Sequence, residues 1–213
     1  MSQLIEILVL AFVAAIIIFK LISVLGERTG FEHSQRRRDT FRDPQKPEEN
    51  HNSPSPSSEE DLIGPGLRKV YAQMLSLDQQ FSLSRFLAGA TRAFEMIVLA
   101  YAKGDLKSLK PLVSSEIYKD FQEAIEERLQ KGESLETTIE KIETPEITDM
   151  RLQETQAIIT VRFTSEQIHL IRNDKGKMIE GNPKQSEQII DLWTFSRDLR
   201  AKEFNWTLIK TDQ

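Results

Sequence analysis

Apolar and polar positions divide this chain into three stretches with different rhythms. From Ile7 to Phe19 no side chain is polar, and Leu21, Ile22, Val24 and Leu25 carry the run past Lys20. A bilayer core of roughly 30 Å takes about 20 residues at about 1.5 Å of rise each. The run therefore predicts one transmembrane anchor over residues 1–25, with Leu4, Phe12, Phe19 and Leu25 among its apolar residues. Glu6 and Lys20 then sit near the two interfaces, Lys20 reaching the headgroups on its long stem. Between 26 and 61 the periodicity disappears. Four prolines, many serines and almost no apolar residue cannot bury enough surface to fold, so this stretch reads as a disordered, extended linker. From 62 to 213 periodicity returns and predicts one folded domain.

The first half of that domain has helical spacing. Leu67, Val70, Tyr71, Met74 and Leu75 form the stripe of an amphipathic helix that Pro65 or Gly66 would begin. A longer helix over about 82–103 carries Phe86, Leu87, Ala90, Phe94, Ile97, Val98 and Tyr101 on one face, and Lys103-Gly104 marks its end. A third is capped by Ser114, with Glu116 in its first turn, where the helix dipole favours an acid. Its stripe is Ile117, Phe121, Ala124, Ile125 and Leu129, and Gly132 closes it.

After Gly132 the period becomes 2. Ile139, Ile142, Ile147 and Met150 suggest a strand broken at Pro145; Ala157, Ile159, Val161 and Phe163 mark the next. Ile168 and Leu170 then continue on the other parity, which predicts a bulge near Ser165 to Gln167. Asn173 to Gly176 and Gly181 to Pro183 read as turns, followed by strands over 187–199 and 204–210. Helices first and antiparallel strands afterwards predict an α+β domain with the helices on one sheet face.

Charge gives the anchor a direction. No basic residue precedes the span, whereas Lys20, Arg28, Arg36, Arg37 and Arg38 follow it, so the N-terminus is expected outside and the bulk of the chain in the cytoplasm. The basic n-region and small-residue cleavage site of a signal peptide are missing, so the anchor is expected to stay uncleaved. Arg36, Arg37 and Arg38 lie close enough to the span to touch anionic lipid, at about 1 kcal/mol per basic residue. They also serve simply to set topology. A net charge of −5 gives no basic face for nucleic acid, and the lack of cysteine excludes disulfides and thiol catalysis.

Chemistry is sparse. His33 and His51 fall in the linker and His169 on a strand, with no Ser/His/Asp or His-x-x-x-His arrangement, so neither an enzyme nor a cofactor or metal site is expected. The strand with Trp193, Phe195 and Arg197 on one face is richer, since two rings ending in a guanidinium could line a pocket and bind a carboxylate or anionic headgroup. The same rings suit a core, which is the plainer reading, and Arg197 suits an ion pair equally well. Trp206, Phe94 and Phe163 complete the candidate pocket or partner-binding set.

The segment Asp191-Leu-Trp193-Thr194-Phe195-Ser-Arg197-Asp198, followed by Asn205-Trp206-Thr-Leu208, resembles the end of the Tim-forty-four-like (Tim44-like) domain family. Ile147-Thr-Asp149, Val161-Arg-Phe163-Thr164, Ile179-Glu-Gly181 and Leu25-Gly-Glu-Arg28-Thr-Gly30 fit the same resemblance, the last matching short bacterial members. Phe204 departs from it, since proline is expected there. The resemblance implies a curved antiparallel sheet covering helices, in a cystatin-like or nuclear-transport-factor-like cone with an apolar pocket. It also implies a bacterial inner-membrane adaptor that positions a chaperone, translocase, ribosome or membrane-protein client for protein transport or membrane-protein biogenesis, with lipid or peptide in the pocket. The alternative is a small hydrophobic-ligand receptor or isomerase-like enzyme in the same cone. A buried carboxylate or histidine facing inward would favour that alternative, Asp149 and Asp191 being the strand candidates.

Overall fold

The computed structural model describes residues 59–212. The predicted span, the linker up to residue 58 and Arg36, Arg37 and Arg38 lie outside the described residues. Among the described residues, no helix is long and apolar enough to cross a membrane.

Two short 3-10 turns, Glu59–Leu62 and Pro65–Leu67, lead into α1, Arg68–Leu77, which buries Tyr71 and Met74. Asp78 ends α1 in extended backbone and accepts the Gln80 amide on Oδ1 at 3.0 Å, turning the chain. Ser82 caps α2, Leu83–Lys103, by accepting the Arg85 amide at 3.2 Å. Of the predicted stripe, Phe86, Leu87, Ala90, Phe94 and Ile97 are buried and Val98 and Tyr101 are half-buried, while Leu83 joins the buried face. Gly104 ends α2 at φ +70, the left-handed conformation favoured by glycine. A short turn, α3 (Leu106–Leu109), was not anticipated, although Asp105 caps it through the Ser108 amide at 3.1 Å. Ser114 caps α4, Ser115–Gln130, as predicted. From α4, Arg128 donates to the carbonyls of Tyr101 and Ala102 at 3.0 and 3.1 Å, giving the end of α2 both hydrogen bonds and positive charge.

The sheet contains β1 (Ser134–Ile142), β2 (Glu146–Gln153), β3 (Gln156–Arg172), β4 (Met178–Glu180), β5 (Glu187–Asp198) and β6 (Thr207–Asp212). β3 is its hub. β2 pairs with its first half and β1 with its second, all antiparallel. β5 runs along its other edge in unbroken register from Gln156↔Asp198 to Gln167↔Glu187. β6 joins β5, and Leu208 exchanges backbone hydrogen bonds with Leu112 and Ser114 at 2.9 and 2.8 Å, tying the start of α4 to the sheet. The expected α+β class, with helices on a curved antiparallel sheet, is observed.

The break expected at Pro145 is present, separating β1 from β2 at 143–145, and two strand expectations need correction. The last strand begins at Thr207 instead of Phe204. The bulge expected in β3 at Ser165 to Gln167 lies on the partner instead, where β1 shifts register between Ile139 and Lys141. β3 keeps its inward parity through Ser165 and Gln167, so polar residues stand where alternation had implied a break.

Candidate functional site

The inward face of β5 carries Asp191, Trp193, Phe195 and Arg197. Register places Phe163, Val161, Ile159 and Ala157 of β3 opposite them in that order. Phe94 stacks on Phe163 at 4.6 Å and 18° and meets Trp193 at 4.7 Å. Phe195 meets Phe86 edge-on at 6.0 Å, and Phe86 lies 4.5 Å from Trp206. Trp206 continues the chain of rings to Phe81 at 5.9 Å. Phe94, Phe163, Trp193 and Phe195 are buried in the core, and half-buried Trp206 packs against it. The five aromatic candidates are thus brought together as core packing, the plainer of the two readings.

Arg197, 7 % exposed, donates from Nη2 to the carboxylate of Asp78 at the end of α1. Its guanidinium also lies 5.1 Å from the ring of Phe204 and 5.9 Å from that of Trp206. Its Nε is buried with no hydrogen-bond partner among the described residues. Phe204 is 64 % exposed, so one mainly solvent-facing ring covers a buried cation. No local pattern could have paired Asp78 with Arg197, because 119 residues separate them.

A second group extends along the same face. Ser165 is 0 % exposed, Gln167 3 % and Asp191 6 %. Gln167 donates from Nε2 to Ser165 Oγ at 2.8 Å, and Phe163↔Asp191 pairing makes Asp191 a diagonal neighbour of Ser165. Beyond Gln167, half-buried His169 shares a 2.9 Å hydrogen bond between Nδ1 and Thr137 Oγ1. Thr137 also helps line a cleft of about 180 Å³ with Leu135 and Glu136 of β1 and Leu99, Ala102 and Lys103 of α2. Gly181, at φ +93, backs this region, where an added Cβ would lie 2.0 Å from the His169 carbonyl oxygen. By contrast, Asp149 pairs at the surface with Arg151 at 2.8 Å. Among the described residues, no cluster of three or more metal-ligating side chains is assembled.

Burial lowers the pKa of His169 below its ordinary 6.5, while the charge of Glu187 partly opposes the shift. The unfolded chain therefore takes the proton first, and stability falls as pH drops through about 6.5. Melting temperatures at pH 7 and pH 5 should show a larger fall for the unaltered chain than for His169→Asn. Equal falls would mean that His169 does not contribute to acid sensitivity.

The family model of the Tim44-like domain matches residues 67–213. Two curated relatives named mitochondrial import inner membrane translocase subunit TIM44, from Homo sapiens and Rattus norvegicus, are each 23% identical over 133 residues, covering 62% of this chain and 29% of their own length. Subunit TIM44-1 of Arabidopsis thaliana is 21% identical over 128 residues, covering 60% of this chain and 27% of its own. This chain thus spans less than a third of the relatives it matches. A crystal structure of the intermembrane space region of chloroplast protein ARC6 aligns with 59% of this chain and 94% of that one, at 11% identity and TM-score 0.37. That likeness is too low to bear on fold or function.

Proposed function

The chain belongs to the Tim44-like domain family, and from that membership we propose a membrane-tethered adaptor that positions a protein partner at an inner membrane during protein transport or membrane-protein biogenesis. The observation that carries this reading is the match over 67–213, which includes α1 to α4 and all six strands. The relatives sharing that domain are named as inner-membrane import translocase subunits. The apolar run over 4–25 supplies the tether, and the proline- and serine-rich linker supplies reach. The basic residues behind the run favour a single span with the domain in the cytoplasm and Arg36, Arg37 and Arg38 near anionic lipid, and the resemblance of residues 25–30 to short bacterial members favours a bacterial membrane. The partner is a chaperone, a translocase, a ribosome or a membrane-protein client.

Depletion followed by pulse-labelling tests this role. Newly made membrane and exported proteins should reach the membrane more slowly without the chain, and re-expression should restore the rate. Unchanged delivery kinetics would refute a part in transport.

One observation favours the small-ligand or isomerase-like alternative. Asp191 is buried on the inward face of β5, diagonal to Ser165, and an inward carboxylate is the group such chemistry would use. Thermal shift across a panel of fatty acids, anionic lipids and small apolar ketones separates the readings. A rise caused by a ketone and abolished by Asp191→Asn would support the alternative, whereas no ketone-dependent rise would count against it.

A further inference from the structure

Residues 59–66 lie just before the stretch matched by the family model and fold back onto α2. Their main polar attachment is one carboxylate. Glu59 accepts the amides of Leu83 and Ser84, the latter at 3.3 Å, and the hydroxyls of Ser82 and Ser84 at 2.9 and 2.5 Å. Burial acts to raise the Glu59 pKa, but the hydrogen bonds from Ser84, Ser82 and Leu83 outweigh it and hold it below the ordinary carboxylate value. The segment is also held by apolar packing and a surface ion pair. Ile63 is buried, Leu62 is half-buried, and Glu60 pairs with Arg68 at 3.8 Å on the surface, where an ion pair contributes little. The buried hydroxyl of Tyr71 reaches Glu59 only at 3.5 Å.

We infer that residues 59–66 form a strap, clasped to α2 by the Glu59 carboxylate, which opens as a unit while the α+β domain stays folded. Without the clasp the first turn of α2 keeps the Ser82 cap on the Arg85 amide but loses the acceptor of its Leu83 and Ser84 amides. Opening breaks five hydrogen bonds to one side chain and releases Leu62 and Ile63, while the β3–β5 ladder and the ring stack around Phe94 remain intact. It frees eight residues, on the order of 25 Å of extended chain. On the adaptor reading, that length is added to the tether.

Native-state hydrogen exchange on the full chain in detergent or nanodiscs tests the strap. Amides of 59–66, with those of Leu83 and Ser84, should exchange through a local opening insensitive to low denaturant. Amides of β3 and β5 should exchange only through global unfolding. Glu59→Gln should speed exchange of the strap, Leu83 and Ser84 by about tenfold or more and leave β3 and β5 unchanged, because a charge-assisted clasp becomes a neutral one. Glu60→Gln should alter neither set. The inference is overturned if the strap exchanges at the global rate, if Glu59→Gln leaves its exchange unchanged, or if that variant accelerates β3 and β5 equally.

Discussion

Replacing Phe94 with alanine is expected to remove about 3–5 kcal/mol of unfolding free energy, enough to unfold much of a marginally stable domain. Phe94 lies halfway along α2, fully buried, with Phe163 stacked on one side and Trp193 tilted against it. Truncation removes its buried apolar surface and leaves a void where one helix and two strands meet. The flanking rings belong to the paired ladder of β3 and β5 and cannot collapse into the gap without shifting it. Met96→Ala, two residues away on the exposed face, should cost no more than about 0.5 kcal/mol. Urea unfolding followed by tryptophan fluorescence measures both variants, since Trp193 touches the altered site. A Phe94→Ala loss below about 1 kcal/mol would mean that this stack is not the centre of the core.

Asp78→Ala should be almost as damaging, at about 3–5 kcal/mol, because it leaves the Arg197 guanidinium buried without its counter-charge. The rings of Phe204 and Trp206 lie near that cation but cannot replace a carboxylate. Combining Asp78→Leu with Arg197→Met should recover most of the loss, since an apolar pair of similar volume often matches a buried ion pair. A double-mutant cycle by urea unfolding isolates the coupling. Additive losses would mean that the two groups act independently and would leave Arg197 available for an anionic ligand. Strong coupling means that the guanidinium joins β5 to the end of α1.

Local chemistry made much of the fold legible. The Ser114 cap, the Gly104 stop and the Asn173–Gly176 turn all coincide with element boundaries because each acts through neighbouring backbone. The period-2 pattern placed Trp193, Phe195 and Arg197 on one face for the same reason. What escaped depended on distant partners. Ser165 to Gln167 looked like a bulge in β3 because Ile168 and Leu170 continue on the other parity, yet the hydrogen bond between Gln167 and Ser165 lets both stay inside. Asp78 carried no sign of its bond to Arg197, nor Glu59 of its seat on α2, because both pairings form only after the chain has folded back. Asp191 and Asp149 were indistinguishable as strand acids until register turned one inward and left the other at the surface.

The central claim is that the folded domain, held near a membrane, gathers a protein partner for transport. Quantitative affinity capture from solubilised membranes tests it most directly, comparing the full chain with a control carrying residues 1–61 alone. The account predicts that a translocase, its chaperone, a ribosomal protein or a membrane-protein client is enriched with the full chain and lost with the control. Equal recovery of every such protein by the two would contradict it.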